Sequence, residues 1–561
     1  MPVRLRQAGS PSHNMKNAAI ALALIVVVLG PIVLRPKGES GPRAGERTLV
    51  VITPHNESIR HEFGRAFAQR HIATTGQHVR LDFRTPGGTS EITRTIDSEY
   101  TAAFEHYWRQ TLRREWSKAV EGAFLNSKIA LDDTPADDTP EQQARRAFLA
   151  SAVSCKFDLF FGGGSYDFQQ AANKGQLIDS GFIREHPELF GDAPGQIPQT
   201  LSGEPFWDPK GRWIGNVVSS FGIVFNTDSL RRLGIAQPPA QWRDLADPRY
   251  FHQIALANPM QSSSVNKSFE MLIQQQIFEY LQSVPPDESM RDLPLIALDW
   301  RERAAVREGW QIAMRLLMRI GANARYFTDS STKISLDVEG GEAAAGMTID
   351  FYGRFQSEAV RRPDGSSRLQ YTSVAGGSSV GVDPIGIFRG APNADIAKDF
   401  IAFLMSADGQ RLWNWKVGAP GGTHRYALRR MPVLPALYAP EFHPLRSDPE
   451  VNPYELAKTF TYHPKWTGHL FRPVSFIFRV MCIDTHDELT AAWGALIDAQ
   501  FPPEAMAAFE DVSAVAYDEA GGRIRDALTG NKIAEVQLAK ELADKFRTQY
   551  RRAAELARAG R

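Results

Sequence analysis

The chain has 561 residues, of which 43% are hydrophobic and 23% are charged, so it is long enough for two or more folded lobes. Its 64 basic and 64 acidic residues cancel, and the sequence lacks the net positive charge that indicates nucleic-acid binding. The two cysteines, Cys155 and Cys482, exclude a cysteine-rich zinc framework and leave open one long-range disulfide or two free thiols.

The N-terminal segment is apolar and uncharged over residues 18–34, after a short tail at 1–16. This run is just long enough to cross a bilayer as a helix. No A-x-A-like cleavage site follows it, so we predict an uncleaved anchor at 17–34. A signal peptide cleaved at an unrecognised site is the alternative. Both hypotheses export the rest of the chain, which begins with a linker at 35–47.

Strand, polar turn and helix alternate from residue 48 onwards. TLVVIT predicts a strand that ends near His55 and Asn56, and apolar residues at helical spacing follow. VRLDFRT predicts the next strand, and the turn PGGTSE then places Thr89 and Ser90 at a helix start. Hydroxyls there can cap the helix and contact an anion at the same time, with capping alone as the alternative. In such α/β sheets ligands lie beyond the carboxyl ends of strands, where these turns are expected.

Residues 97–150 interrupt this alternation. Apolar residues recur every four positions from Tyr100 to Phe124, which predicts one long amphipathic helix. Thr139 and Pro140 then open a second, capped helix. We expect the pair to be a surface insertion that packs on the first lobe, with a partner-binding site as the alternative.

Two further strand patterns precede the middle of the chain. KFDLFFGGG predicts a strand, after which Gly164 and Ser165 either let the backbone approach a ligand or form a tight turn. Residues 213–227 form a continuous apolar strand pattern with Ser219 near its centre. Such a strand can pass between lobes, with small residues where the backbone bends.

The second half repeats the motif of a strand followed by hydroxyls. IALANP is followed by Ser262, Ser263 and Ser264 before a helical pattern. AAAGMTIDFYGRF predicts a strand that ends in polar and aromatic groups, among them Asp350 and Tyr352.

The stretch DPIGIFRGAPNADIAKDFIAFLMSADGQ (383–410) combines a strand, a Gly-Ala-Pro-Asn turn and an Ala-Lys-x-Phe-Ile helix. With SSFGIVFNTDSLRRLG and WRDLADPRYFHQIALANP, it resembles the type 2 periplasmic solute-binding proteins of ABC importers. The similar branch includes ferric-ion, thiamine and phosphorylated-sugar or phosphonate binders. The resemblance covers about residues 48–96 and 152–432.

The resemblance implies an α/β fold of two lobes joined by hinge strands that close on a ligand. It places 48–218 and 375–410 in lobe 1, with the helical insertion at 97–150. It places 219–374 and 411–561 in lobe 2, whose C-terminal part reads as a helical extension.

In ferric-binding members of this family, two adjacent tyrosines bind the metal, and Phe351 stands at one of those positions here. A ferric site would therefore depend on Tyr352 and His55, so an organic ligand bound near Asp350 is favoured. The serines after IALANP match the family's anion cradle. The expected ligand contacts are His55, Asn56, Thr89, Ser90, Gly164, Ser165, Ser219, Ser262, Ser263, Ser264, Ser331, Thr332, Asp350 and Tyr352.

The family resemblance implies the substrate-binding component of an ABC-type importer, which captures a small, anionic or phosphorylated solute, or ferric ion with an anion. Its expected partners are the solute and an inner-membrane permease, its location is extracytoplasmic, and no cofactor is expected. A membrane-tethered sensor on the same fold is the alternative. An enzyme, such as a transferase on a related fold, is less favoured because the sequence lacks a G-K-[ST] phosphate loop, a G-x-S-x-G elbow and H-E-x-x-H.

Overall fold

The computed structural model describes residues 46–132, 134, 135, 138–283 and 295–561. The predicted tail and anchor (1–34) lie outside this range. Among the described residues, no helix combines the length and apolar character needed to span a membrane.

Two mixed sheets organise the described chain into two lobes. The first sheet has the order β14-β7-β13-β3-β1-β2, with β4 beside β13, and the second has the order β10-β9-β11-β8-β12. The strands are β1 (Arg47–Ile52), β2 (Val79–Arg84), β3 (Leu159–Phe161), β4 (Leu177–Ile178), β5 (Thr200–Leu201), β6 (Glu204–Pro205), β7 (Ile214–Ser219), β8 (Phe221–Asn226), β9 (Ile254–Ala257), β10 (Ala324–Thr328), β11 (Ala345–Ile349), β12 (Leu369–Ser373), β13 (Gly381–Phe388) and β14 (Met431–Pro432).

Helices surround both sheets and form most of the C-terminal region. They are α1 (Glu57–Thr75), α2 (Thr89–His106), α3 (Lys118–Ala123), α4 (Pro140–Ala150), α5 (Ser165–Lys174), α6 (Phe182–Glu185), α7 (Thr227–Arg232), α8 (Ser263–Ser283), α9 (Leu295–Asn323), α10 (Ser331–Gly340), α11 (Asp350–Ala359), α12 (Ala394–Met405), α13 (Ala407–Arg411), α14 (Pro453–Leu456), α15 (Pro464–Thr467), α16 (Phe471–Phe478), α17 (His486–Asp498), α18 (Pro503–Phe509), α19 (Tyr517–Glu519), α20 (Arg525–Thr529) and α21 (Lys532–Arg558).

The chain passes between the lobes at two hinge connections. β7 lies in the first sheet and β8 in the second, with Ser220 between them. β12 lies in the second sheet, and the chain returns to the first through β13. The apolar run 213–227 therefore spans both lobes, and the expected two-lobed α/β architecture with hinge strands is confirmed. β8 runs antiparallel to β11 in the second sheet, and β13 runs antiparallel to β7 in the first. Both sheets are therefore mixed.

The assignment of 411–561 to the second lobe differs from the structure in its first part. Trp413, Met431 and Tyr438 belong to the core of the first lobe, and β14 pairs with β7 there. From Phe460 onward, buried residues belong to the second core, together with the C-terminal helices. The chain thus crosses a third time, at residues 458–459. A helical sequence pattern cannot reveal this boundary, because periodicity shows which face is buried and not against which lobe.

The predicted single helix from Tyr100 to Phe124 is wrong. α2 ends at His106, and a short π-helical turn and an irregular stretch precede α3. The Trp108 indole donates to the Glu115 carbonyl (2.9 Å), and the Phe104 and Phe124 rings stack with centroids 4.8 Å apart. The apolar stripe folds back on itself because stacking its two ends buries more aromatic surface than a protruding helix would. The insertion packs into the first core, as expected.

We predict that reduction leaves the stability of the protein unchanged. Cys155 and Cys482 are both free and fully buried, the first in the first core and the second in the second core. Thermal unfolding with and without dithiothreitol should give the same midpoint. Thiol titration should find two reactive groups in denaturant and slow reaction in the native protein. A midpoint that falls on reduction would contradict the separate placement of the two thiols.

Candidate functional site

Three turns of the first lobe meet at the carboxyl ends of β1, β2 and β3. His55 follows β1, Thr89 begins α2, and a glycine turn (162–164) follows β3. A Cβ atom on Gly162 would lie 2.4 Å from the His55 ring, and one on Gly163 would lie 3.0 Å from the Thr89 side chain. Both glycines have positive φ, so space and backbone conformation both require glycine. The three turns form one continuous wall.

The opposing wall, in the second lobe, carries a cluster of hydroxyl groups. Ser264 Oγ lies 3.2 Å from Ser262 Oγ and 2.9 Å from Ser331 Oγ. These three residues, hereafter the hydroxyl cluster, stand at the starts of α8 and α10, where β9 and β10 end. The two helix starts therefore lie side by side.

The two walls are close together. A Cβ atom on Gly88, before α2, would lie 3.7 Å from the carbonyl oxygen of Gln261 in the second lobe. The start of α2 thus faces the hydroxyl cluster across a narrow cleft.

The hydroxyls of Thr89, Ser90 and Ser165 do not cap their helices. The N-cap residues of α2 and α5 are Gly88 and Gly164, and neither helix has a side-chain cap. The capping alternative for Thr89 and Ser90 is therefore wrong. The first N–H groups of α2 lack the side-chain acceptor that most helix starts provide, whereas at the start of α5 the Asp167 carboxylate accepts from the N–H groups of Gly164 and of Asp167 itself.

Two other predicted residues take part in capping hydrogen bonds, Asn56 as a cap and Thr332 as the donor to one. The Asn56 side chain accepts from the Ile59 N–H (3.1 Å) and caps α1. The Ser330 hydroxyl caps α10 by accepting from the Thr332 N–H (3.3 Å), which leaves the Ser331 hydroxyl for the cluster. Ser263 is the first residue of α8.

Arg430 lies between the lobes and is almost fully buried. Its Nη2 donates to Asp383 Oδ2 (2.7 Å) and Ser219 Oγ (2.8 Å), and its Nη1 lies 3.0 Å from His55 Nε2. A guanidinium can donate but not accept, so His55 Nε2 is the acceptor. The proton of the neutral imidazole then stands on Nδ1. One side chain thereby joins β7, β13 and the turn after β1.

The protonation states around Arg430 follow from burial and charge. Burial, followed by the positive charge of Arg430, lowers the pKa of His55 to about 4 in spite of Asp383. Burial alone would raise the pKa of Asp383, but Arg430 and His55 lower it overall. At neutral pH the group is a buried Arg–Asp ion pair beside a neutral imidazole.

The second lobe contributes Asp350 and Phe351 to the same centre. The Arg430 guanidinium carbon lies 3.8 Å from the Phe351 ring centroid, a cation–π contact between the lobes. Asp350 Oδ1 accepts from the Phe351 N–H (2.8 Å), whereas Oδ2 lies 3.5 Å from Ser220 Oγ. Burial raises the pKa of Asp350 to about 6, although Arg354 and Arg430 act against the rise. Its carboxyl is therefore less acidic than that of an exposed aspartate, although it is still mostly ionised at neutral pH.

A bare ferric ion fits poorly at Tyr352 and His55. His55 Nε2 faces the fixed positive charge of Arg430, which repels a second cation. Burial raises the pKa of the Tyr352 phenol, which disfavours the phenolate that would bind the metal.

Sequence reasoning missed Arg430, Asp383 and Arg354. Nothing in the local pattern marks Asp383 or Arg354 as central. One signal could have drawn attention to the Arg429–Arg430 pair, because two charged residues directly precede the short apolar strand Met-Pro.

The backbone of Arg429 adopts a left-handed φ of 53°, and its guanidinium reaches Glu358 (3.1 Å) in the second lobe.

A cavity of about 820 Å³ lies elsewhere, between the turn at 251–252 and helices α17 and α21. Its lining includes Phe251, His252, Asp487, Gly494 and Arg558 and none of the predicted contact residues. Because the polar groups described above converge between the lobes, the cleft remains the candidate site.

A family model described as bacterial extracellular solute-binding protein matches residues 153–433. An uncharacterised protein of Haemophilus influenzae is 24% identical over 265 residues, 46% of this chain and 61% of that protein. The phosphoglycerate transport regulatory protein PgtC of Salmonella typhimurium is 23% identical over 199 residues, 36% of this chain and 40% of that protein. The matches thus span less than two thirds of either relative.

Two solved structures are among those to which the chain is similar. The periplasmic binding protein AfuA of Actinobacillus pleuropneumoniae, with fructose-6-phosphate bound, is 16% identical, with a TM-score of 0.45, and covers 81% of this chain and 98% of its own. Iron-bound HitA of Pseudomonas aeruginosa is 14% identical, with a TM-score of 0.44, and covers 77% of this chain and 99% of its own.

We predict that Asp350→Asn stabilises the protein in a pH-dependent way. The pKa of Asp350 is raised to about 6 on folding, so ionisation of this carboxyl opposes folding. The free-energy cost of ionising Asp350 in the folded state is absent below the pKa of this group in the unfolded chain, near 4. It is complete above pH 6. The variant should match the wild type at pH 4 and gain at most about 3 kcal/mol at pH 7 in denaturant unfolding. Asp192→Asn, on an exposed loop, is the control. A gain of equal size at both pH values would contradict the assignment.

We predict that Arg430→Met destabilises the protein by about 3–5 kcal/mol, because Asp383 is left buried without its counter-charge. The double variant Arg430→Met/Asp383→Asn should recover part of that loss. Denaturant unfolding of both singles and the double measures the coupling. Strictly additive losses would show that the two side chains do not form the described pair.

Proposed function

This chain belongs to the family of bacterial extracellular solute-binding proteins, and we propose that it captures a small anionic solute, in the first place a phosphorylated organic compound, between its lobes. The solute would be delivered to an ABC-type permease in the inner membrane. Membership of the family places the folded chain outside the cytoplasm, and attachment through residues 17–34 is part of the proposal.

The observation that carries this proposal is the hydroxyl cluster at two adjacent helix starts. Ser264 Oγ lies 3.2 Å from Ser262 Oγ and 2.9 Å from Ser331 Oγ, at the N-termini of α8 and α10. α8 is 21 residues long, so its first N–H groups carry the positive end of a substantial helix dipole. Hydroxyls and N–H groups arranged in this way suit phosphate or carboxylate oxygens.

The first lobe offers complementary donors. The starts of α2 and α5, at Gly88 and Gly164, lack side-chain caps and lie on the wall that faces the cluster. An anion held between the lobes could accept hydrogen bonds from both sides, so binding would favour closure. Asp350, which directly follows β11, suits solute hydroxyls or an amine.

The charges at the centre favour an organic anion over bare ferric ion. Arg430 presents a fixed cation to His55, and Phe351 has no oxygen to offer a metal. PgtC is named a phosphoglycerate transport regulatory protein, which makes 3-phosphoglycerate a reasoned first probe. We infer binding and not catalysis, because the family consists of binding proteins.

A membrane-tethered sensor is the second candidate function. Two observations favour it: the apolar run at 18–34, and the word "regulatory" in the name of PgtC. The same cleft would then report the solute to a partner protein and not to a permease.

We predict that Ser264→Ala and Ser331→Ala each weaken binding of 3-phosphoglycerate by about tenfold or more. A hydrogen bond to a charged group contributes about 1.5–3 kcal/mol. Isothermal titration calorimetry measures the change. Ser335→Ala is a matched control, because Ser335 lies on α10 with Ser331, is buried and makes no hydrogen bond through its hydroxyl. Affinities that change equally in all three variants would refute the hydroxyl cluster as the anion site.

A further inference from the structure

Residues 460–472, hereafter the strap, lie beyond the family match and lead from the first lobe into the C-terminal helices. Phe460, Tyr462, Trp466 and Leu470 are buried in the second core. The strap runs along α8, the helix whose first turn carries two members of the hydroxyl cluster. Its position therefore bears on the proposed ligand cleft.

Several hydrogen bonds attach the strap to α8. The Asn266 amide donates to the Phe471 carbonyl (2.7 Å), one turn after Ser262. The Gln274 side chain accepts from the His463 N–H (2.8 Å) and donates to the Thr467 hydroxyl (2.7 Å). The strap thus fixes the start of α8 and its middle at the same time.

A buried charged group ties the strap and α8 to the first lobe. Lys267 of α8 lies 2.9 Å from Glu204 and 2.9 Å from Glu270. Glu204 belongs to the β5–β6 hairpin, whose neighbours pack in the first core. Tyr462 and Thr467 of the strap both donate to Glu270, at 2.8 and 2.7 Å. Three parts of the chain therefore meet at one ion-pair network.

The backbone of the same hairpin also binds the strap. The Ser202 hydroxyl donates to the Phe460 carbonyl (2.6 Å), and the Tyr462 N–H donates to the Ser202 carbonyl (2.8 Å). Gly203 has a φ of 76°, and a Cβ atom there would lie 1.9 Å from the Tyr462 carbonyl oxygen. This close approach requires glycine.

The strap ends at the mouth of the cleft, where Phe471 meets Tyr166 of the first lobe. The two ring centroids are 5.5 Å apart with the planes inclined at 33°. Tyr166 lies in the first turn of α5, directly after the glycine turn 162–164. Phe471 lies against the first turn of α8. The ring pair therefore spans from one wall of the cleft to the other.

We propose that the strap helps to form the ligand site. Its Phe471 packs against Tyr166, and this ring contact, hereafter the aromatic latch, holds the mouth of the cleft closed. This inference rests on the proposed ligand cleft. The lobes cannot separate at this edge without breaking the ring contact, while the ion-pair network keeps the strap in place. Both residues act by positioning the walls around the solute.

The first test needs no ligand. The amides of Asp167 and Phe168 both donate to the Gly164 carbonyl. Hydrogen exchange of the full-length protein should show faster exchange of these two amides in Tyr166→Ala and in Phe471→Ala, by about two- to tenfold, the range expected for one aromatic pair. The double variant should not exceed either single variant by more than a small factor, because both remove the same contact. Tyr166→Phe should retain protection, since it keeps the ring.

The control is Phe278→Ala, which removes an exposed ring of the second lobe on α8 away from the cleft mouth. It should leave exchange at Asp167 and Phe168 unchanged. Wild-type exchange rates in both Tyr166→Ala and Phe471→Ala would overturn the latch. Tyr166 is half exposed, so its substitution should not impair folding. The Tyr166 variant therefore decides the test if the Phe471 variant folds poorly.

A second measurement separates the latch from the proposed function. Dissociation of 3-phosphoglycerate, followed by stopped-flow, should be about two- to tenfold faster in Tyr166→Ala than in the wild type and unchanged in Tyr166→Phe. If the wild type does not bind this probe, the proposed solute class fails and the exchange result alone decides the latch. If Tyr166→Ala shows faster hydrogen exchange but unchanged dissociation of 3-phosphoglycerate, the ring contact acts only in the ligand-free protein. That result would overturn its place in the ligand site.

Discussion

The buried ion pair of Arg430 and Asp383 is the contact on which the arrangement of the lobes depends. Asp383 lies in β13 and Ser219 at the end of β7, so one guanidinium binds both strands that connect the lobes. The same group contacts His55 in the first lobe and Phe351 in the second. Buried charges persist where they are paired and hydrogen-bonded, and both terminal nitrogens of the Arg430 guanidinium have partners at the hinge, although its Nε has none. The relative position of the two walls follows from it.

Once the hinge strands are fixed, the carboxyl ends of both sheets face each other. Strands β1, β2 and β3 present their turns from one side, and β9, β10 and β11 present theirs from the other. Helix starts therefore line the cleft on both sides, with hydroxyls concentrated in the second lobe and uncapped glycine starts in the first. His55 is neutral at neutral pH, and the carboxylates of Asp383 and Asp350 lie within the positive field of Arg430 and Arg354.

Local patterns predicted most elements, because the spacing of apolar residues and the positions of Gly, Pro and hydroxyl residues act over a few residues. The strand at 213–227, the turn before α2 and the helix at Ala394–Met405 are examples. Contacts between distant segments could not be predicted this way. Arg430 meets Asp383 and His55 through packing of remote strands, and the fold-back of the insertion depends on Phe104 finding Phe124. Likewise, no periodicity assigns residues 411–457 to the first lobe.

The measurement that tests the account most directly is a thermal-shift comparison of 3-phosphoglycerate, a hexose phosphate, their unphosphorylated counterparts and ferric citrate. A ligand at a hundred times its dissociation constant stabilises a protein by about 2.7 kcal/mol, which gives a clear rise in Tm. The account predicts a rise with a phosphorylated compound and none with its unphosphorylated counterpart or with ferric citrate. A rise in Tm that requires ferric ion would contradict the account. So would a rise of equal size with the phosphorylated and the unphosphorylated compound.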